Sequence, residues 1–417
     1  MRIEVGYGGG VETVEIPEEN IAGILKPNKA PAGVRGREAV KKALMNPIGS
    51  PRLKEIIKPG EKIALITSDI TRPMPSYDVL PPVISELMEA GVSKDDIVVV
   101  FALGSHRPHT PEEMRVLVGE EVFNSVRCID SDIGDCINMG KTRRGTPVDI
   151  TRTVAEADRR ICLGNIEYHY FAGYSGGAKA LMPGVSTPAA IQANHRMMTD
   201  PRACIGNIKD NPLRKDVEEA ADMCGIDFIV NVVLDEHKKI IHAVAGDVTQ
   251  AHRKGCEFLD EIYKIPIEER ADIVVVSQGG APKDLNLYQT QKALDNSKFA
   301  VRDGGTIILV GSCREGLGQK TFEEWMTGAN SPEEIVERIG REFKLGGHKA
   351  AAIAMVMAKA KISLVSEMDD AFVKTLFMEP YSSLQEAFDD AMGEYGSNAK
   401  VIVMPYGGST LPHMNMG

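Results

Sequence analysis

The chain has 417 residues, 43% of them hydrophobic and 26% charged, with a formal net charge of −11. Its length exceeds one ordinary core, which predicts two domains, and its acidity excludes a nucleic acid as the main partner while leaving room for a small anion at a local cationic cluster. No apolar run approaches the roughly 20 residues that span a bilayer, and the start Met1-Arg2-Ile3-Glu4-Val5 lacks a signal-like apolar stretch, so a cytoplasmic location without membrane attachment is expected.

Apolar alternation around Gly8-Gly9-Gly10 predicts a hairpin over 2–7 and 11–16. A helix over 37–45 ends at Asn46-Pro47. Strand, loop and helix then alternate: strands over 62–67 and 96–103, with an amphipathic helix over 79–90 between them. The second strand is nearly continuously apolar, as a strand buried on both faces of a parallel sheet must be. The alternation runs on through 150–155, a strand over 160–163, helices over 189–198 and 213–224, a strand over 228–234 and a helix over 248–263. Ile265-Pro266-Ile267 interrupts it. A second α/β series comes next, with strands over 271–276, 306–310, 362–365 and 401–404 and helices over 285–299, 332–343, 349–360 and 384–392. The expected fold class is therefore α/β, two domains, each with a largely parallel sheet flanked by helices and the active site in the cleft between them. The expected division is 1–267 and 268–404, with a Gly-rich tail over 405–417 returning across the first domain and adding no core element.

Seven cysteines are scattered along the chain, with no Cys-x-x-Cys. Buried thiols are expected rather than a disulfide framework or a zinc site.

In open α/β sheets ligands sit beyond the carboxyl ends of the strands, so the residues just after each strand carry the most information. They are Asp69-Ile70-Thr71-Arg72-Pro73, Gly104-Ser105-His106-Arg107-Pro108-His109, the run from Asn165 through His169, and Gln278-Gly279-Gly280. Each alone fits a solvated loop; four in succession point to a site. Arg72 suits a carboxylate clamp through two parallel charge-assisted hydrogen bonds, and equally a salt bridge to Asp69. His106 and His169 suit an acid–base pair, because imidazole titrates near neutral pH. His109 is ambiguous, and His237, His242, His252 and His413 are expected at the surface. After His169 come Ser175-Gly176-Gly177-Ala178-Lys179 and then Asn194-His195. Two Gly beside a Ser, with a Lys entering a helix, have the composition of a phosphate cradle, although the spacing is neither that of the P-loop nor of the dinucleotide fingerprint. On the helix opening the second series, Gln289 and Lys292 share one face, beside Tyr288.

At these positions the chain resembles the nickel-pincer lactate racemase family. The matching pieces are Asp69-Ile70-Thr71-Arg72-Pro73, Gly104-Ser105-His106-Arg107-Pro108, the run from His169 through Lys179 to Pro183-Gly184, His195, and Tyr288-Gln289-x-x-Lys292, in order over nearly the whole chain. The resemblance implies a racemase or epimerase acting on a small 2-hydroxy acid. It implies nickel held by pyridinium-3,5-bisthiocarboxylic acid mononucleotide, the nickel-pincer nucleotide, covalently attached at Lys179, with His195 as the protein's metal ligand. Soft sulfur with imidazole suits nickel in a square-planar site. Ser175, Gly176, Gly177 and Asp69 would bind the cofactor, His106 and His169 would exchange protons, and Arg72, Tyr288, Gln289 and Lys292 would hold substrate. Proteins that make the cofactor are implied as partners.

One departure stands out. Lactate-specific members set a tryptophan of the second domain against the substrate, whereas the sole tryptophan here is Trp325 and the corresponding stretch is Gly346-Gly347-His348-Lys349-Ala350. A larger or more polar 2-hydroxy acid is expected, with His348 or Lys349 meeting its extra group. The competing classes are a 2-hydroxyacid oxidoreductase using diffusible NAD(P), disfavoured by the missing Gly-x-Gly-x-x-Gly, and a non-enzymatic carboxylate-binding protein, which has no use for Lys179 or for paired histidines.

Overall fold

The structure, a computed structural model, describes residues 1–235 and 237–415. The chain forms two compact units, one of Ala30–Asp260 and one of Met1–Lys29 with Glu261–Gly417.

In the unit Ala30–Asp260, six strands lie in the order Ile240–Gly246, Phe228–Leu234, Arg159–Asn165, Ile63–Ser68, Ile97–Ala102, Arg127–Asp130. Every neighbouring pair is parallel except the first. Ile63, Ala64, Leu65, Ile66 and Thr67 are wholly buried, as a central strand covered on both faces requires. The side chains of Ile63 and Leu65 pack with Val79, Leu80, Val83 and Leu87 of the helix Ser76–Glu89 into one core. The alternating surface of that helix supplies its apolar stripe.

In the other unit the strands run Glu379–Tyr381, Lys361–Val365, Val301–Val310, Ala271–Ser277, Val401–Met404, Ile21–Ile24, all parallel. The N-terminal hairpin Arg2–Tyr7/Gly10–Glu15 contributes Ile3, Val5 and Val14 to this unit's core.

The architecture of two α/β units with parallel sheets and flanking helices is the expected one, but the chain divides elsewhere. Residues 1–29 join the C-terminal unit, because Ile21–Ile24 adds an edge strand to Val401–Met404. The segment Ile265-Pro266-Ile267 is no linker: Lys264–Ile267 pairs in parallel with Leu411–Met414. The Gly-rich tail therefore does form a strand, and Asn296 donates to the Gly407 carbonyl at 2.7 Å; its last two residues, 416 and 417, lie outside the described residues. No described helix is long and apolar enough to cross a membrane.

Candidate active site

The strand Ile63–Ser68 has Ile97–Ala102 on one side and Arg159–Asn165 on the other, all parallel. Successive strands leave it first to one side and then to the other, so its carboxyl end is a topological switch point, where the diverging loops leave room for a ligand. Three loops rise there: 69–73, 103–109 and 166–180.

The first two loops are tied together through two imidazoles. His106 Nδ1 lies 2.6 Å from Asp69 Oδ2, and the Thr71 hydroxyl donates to both Asp69 oxygens at 2.9 and 3.1 Å. Burial pushes the Asp69 carboxyl up, but the bonds from His106 and Thr71 and the charge of Arg72 outweigh it and hold it below the usual range. The Asp69 carboxylate thus holds the His106 ring. The His109 side chain is 1% exposed; its Nδ1 meets Asp130 Oδ1 at 2.6 Å and its Nε2 accepts the Ile70 N–H at 3.0 Å. It therefore pins the loop that carries Arg72. Arg72 itself is exposed and donates to Thr71 Oγ1 at 3.1 Å, with no ion pair to Asp69 among the described residues, so its guanidinium is not consumed by the salt bridge that its sequence allowed.

The third loop opens with a two-residue hairpin, Tyr168–His169 against Gly173–Tyr174. Both tyrosine hydroxyls donate to Asp260, at 2.7 Å from Tyr168 and 2.9 Å from Tyr174. The ring of His169 packs edge-on against Phe171 at 4.5 Å, and Phe171 in turn meets His195 at 4.9 Å. Burial, then the charges of Lys179, His195, Arg72 and Arg214, hold His169 well below its ordinary value. It is a neutral imidazole in a positive field.

The Ser-Gly-Gly stretch does not offer the expected cradle. The Ser175 N–H donates to Glu167 O at 2.8 Å, the Ser175 hydroxyl to Asn165 O at 2.7 Å, and the Gly177 N–H to Asn231 Oδ1 at 2.7 Å. The next element is a four-residue 3₁₀ turn, Gly177–Ala180, rather than a helix with an aligned dipole. The glycines serve packing instead: Gly177 has φ +58°, and a Cβ there would lie 2.9 Å from the His252 ring. The stretch thus fixes Lys179. Burial, then the charges of Arg214 and Arg72, opposed by Glu167, depress the Lys179 ammonium far below the usual lysine value. Burial that disfavours the ammonium favours the amine form, the one that acts as a nucleophile.

His195 closes the helix Pro188–His195. Its Nδ1 lies 3.1 Å from Asn194 Oδ1, and the Asn194 amide is turned that way because its Nδ2 donates to Asp216 Oδ2 at 2.8 Å. A Nδ1–H engaged in this manner puts the ligating lone pair on Nε2, as metal-binding histidines require. Among the described residues no three His, Cys, Asp or Glu side chains are grouped so as to hold a metal ion.

Several supporting residues escaped the sequence. Arg214 is wholly buried, donating to the Tyr174 carbonyl and, at 3.4 Å, to that of Ala172. His252, expected at the surface, is 1% exposed and donates from Nε2 to Ser175 O at 2.7 Å. On the helix Gln250–Tyr263 the spacing His252, Cys256, Asp260 would have shown one inward face; for Arg214 and Asn231 the sequence carries no such signal.

Tyr288, Gln289, Lys292, His348 and Lys349 all belong to the other unit. Tyr288, Gln289 and Lys292 lie on the helix Leu287–Ser297, with Tyr288 packed edge-on against Phe322 at 5.6 Å. Lys349 donates to Tyr288 O at 2.6 Å and sits 4.0 Å from the Tyr288 ring centre. His348 accepts the Gly346 N–H at Nδ1, and burial, helped by the Lys349 charge, pushes it down to about 3. It is neutral at physiological pH. Trp325, from the helix Lys320–Thr327, is 1% exposed and packs on Gly347, where a Cβ would lie 2.5 Å from its ring. The indole thus reaches the stretch 346–350 from a separate segment. The loop Gln278-Gly279-Gly280, expected to line the same site as the other strand ends, is also in this unit; it packs on the N-terminal hairpin, where a Cβ on Gly6 would lie 2.3 Å from the Gly279 carbonyl carbon.

Comparison with known proteins bears directly on this arrangement. Residues 7–206 match the lactate racemase N-terminal domain and residues 267–411 the lactate racemase C-terminal domain. The chain is 34% identical to a lactate racemase of Thermoanaerobacterium thermosaccharolyticum over 421 aligned residues, covering 98% of each. It is likewise 34% identical to a lactate racemase of Lactiplantibacillus plantarum, again over 98% of each chain. The solved structure of the Thermoanaerobacterium lactate racemase apoprotein superimposes with a TM-score of 0.91 at 33% identity, covering 99% of this chain and all of that one. A Thermotoga maritima protein at 16% identity shares the fold, with a TM-score of 0.60. The chain belongs to the lactate racemase family, and it is an isomerase of the racemase class.

Proposed function

We propose that this chain inverts the hydroxyl-bearing α-carbon of a 2-hydroxy acid, with nickel held in a pyridinium-3,5-bisthiocarboxylic acid mononucleotide joined covalently to Lys179. The observation that carries the proposal is the gathering at one switch point of two imidazoles, an arginine with no acidic partner among the described residues, and a buried lysine whose ammonium form is disfavoured.

The residues present fit the cofactor. The neutral amine is the form that is acylated, and burial shifts Lys179 toward it. The positive field from Arg72 and Arg214, opposed by Glu167, suits an anionic nucleotide. The Nδ1 contact of His195 with Asn194 leaves Nε2 as the nitrogen that would ligate, and the cofactor's sulfur-bearing arms and ring would supply the other donors. When bound, the group would supply a hydride acceptor and donor next to the α-carbon.

This chain's own residues do the rest. Arg72 grips the carboxylate and fixes the α-carbon. His106 takes the hydroxyl proton, and the imidazolium so formed lies against the ionised Asp69. His169 serves the enantiomer whose hydroxyl faces the other way. The family relationship also supports substrate contacts for Tyr288, Gln289 and Lys292; Lys292→Ala should raise KM at least about tenfold, as the loss of one charge-assisted bond does, and an unchanged KM removes that assignment.

The relatives are named lactate racemases, which puts lactate first in any panel. The stretch 346–350 favours a larger 2-hydroxy acid, but His348 is neutral and so does not select a dicarboxylate by charge. Coexpression with cofactor-making proteins, followed by intact-protein mass measurement and nickel determination, tests the proposal. One adduct and one nickel per chain are expected, both absent from Lys179→Met. Racemisation by a chain that carries neither would overturn it.

A further inference from the structure

We infer that the two proton-transfer histidines rest in opposite tautomers: His106 carries its proton on Nδ1 and accepts at Nε2, whereas His169 carries its proton on Nε2 and donates there. The inference deepens the proposed function and rests on its assignment of these two rings.

The partner of each Nδ1 decides the matter. His106 Nδ1 faces Asp69 at 2.6 Å. An ionised carboxylate only accepts, so that nitrogen holds the proton and the lone pair is on Nε2. His169 Nδ1 faces the backbone N–H of Ala172 at 3.2 Å. A backbone N–H only donates, so here Nδ1 holds the lone pair and the neutral ring has its proton on Nε2.

The peptide that imposes this is clamped. Its other end, the Phe171 carbonyl, accepts from Asn211 Nδ2 at 2.8 Å, and Asn211 is wholly buried at the start of the helix Pro212–Cys224. The next carbonyl, Ala172 O, accepts from Arg214. Gly173 comes after it at φ +78°, with so little space that a Cβ would lie 2.2 Å from Asn207 O. Rotating the 171–172 peptide away from His169 therefore leaves one of the two Asn211 Nδ2 hydrogens without its acceptor, the longer bond to Asn207 O at 3.2 Å alone remaining, which buried amides avoid. Asn211 and Asp69 are the positioning residues, one for each ring.

The two stereoisomers then do not meet equivalent bases. A substrate hydroxyl at His106 passes its proton to Nε2 directly, giving an imidazolium protonated on both nitrogens. A hydroxyl at His169 finds Nε2 already protonated; that ring accepts only after its proton moves to Nδ1 and the Ala172 bond is given up.

Nitrogen NMR of the full chain labelled with ¹⁵N-histidine tests this, with His106→Gln and His169→Gln used to assign the two rings. The expected spectrum has a protonated Nδ1 for His106 and a protonated Nε2 for His169. Finding both rings in the same tautomer overturns the inference. Asp69→Asn gives residue 69 an amide donor and should convert His106 to the Nε2-protonated form while leaving the His169 signals in place; retention of the Nδ1-protonated form would show that Asp69 does not set it. Because the spectra need no turnover, opposed tautomers in a chain that carries the Lys179 adduct and nickel yet racemises nothing would remove the proposed function and leave the ring assignment intact.

Discussion

Lys179 illustrates how one side chain carries a cost for a function. Its folded-state value lies well below the ordinary 10.5, chiefly through burial and then through Arg214 and Arg72. The unfolded chain solvates the protonated lysine and the folded chain disfavours it, so the burial opposes folding throughout the range below the unfolded value. Lys179→Met should therefore raise the thermal midpoint by about 1–4 °C while abolishing adduct formation. A scanning calorimetry trace with a lower midpoint would contradict this. At this scale the sequence was partly legible. The residues proposed to do chemistry, His106, His169 and Lys179, stood out because they follow strands. Their holders, Asn211, Arg214 and Asn194, did not, because a buried polar residue and a solvated one look alike until the backbone carbonyls they meet are known.

At the scale of elements, the hairpin Tyr168–His169/Gly173–Tyr174 is too short to be stable by itself. It is held from outside by Asp260, which receives both tyrosine hydroxyls. Asp260→Asn weakens two charge-assisted bonds and should cost about 1–3 kcal/mol in urea denaturation; a change under about 0.5 kcal/mol would mean that the hairpin has other supports. Gly177→Ala combines a positive φ with a Cβ only 2.9 Å from the His252 ring. It should destabilise by roughly 1–3 kcal/mol and slow adduct formation at Lys179, which mass measurement over time would show. The central parallel strands were legible from continuous apolar runs. Short edge strands were not: Glu379–Tyr381 and Leu411–Met414 each contain a proline and carry no alternation that separates them from loops.

Over the whole molecule, sequence order suggested a break near residue 267, but compactness follows strand pairing rather than order, and Ile21–Ile24 finds its partner in Val401–Met404. Nothing local in residues 1–29 encodes a partner so distant along the chain. Global stability should also depend on pH in a defined direction. His252 and His348 are buried neutral, His252 well below 6.5 and His348 pushed down to about 3, in both chiefly by burial. As pH falls below about 6.5, the unfolded chain gains protons that these folded rings refuse, so each removes up to about 1.4 kcal/mol of stability per pH unit. Denaturation midpoints should drop between about pH 7 and pH 5; a higher midpoint at the acidic end would contradict the burial of both rings.

The most direct measurement of what the molecule does is chirality-resolved analysis of single stereoisomers of lactate and larger 2-hydroxy acids, incubated with chain coexpressed with cofactor-making proteins. Loss of optical purity is predicted for at least one acid, abolished by His106→Gln, His169→Gln or Lys179→Met. Full retention of configuration by every acid, in protein shown by mass to carry the Lys179 adduct and nickel, would contradict the proposed function.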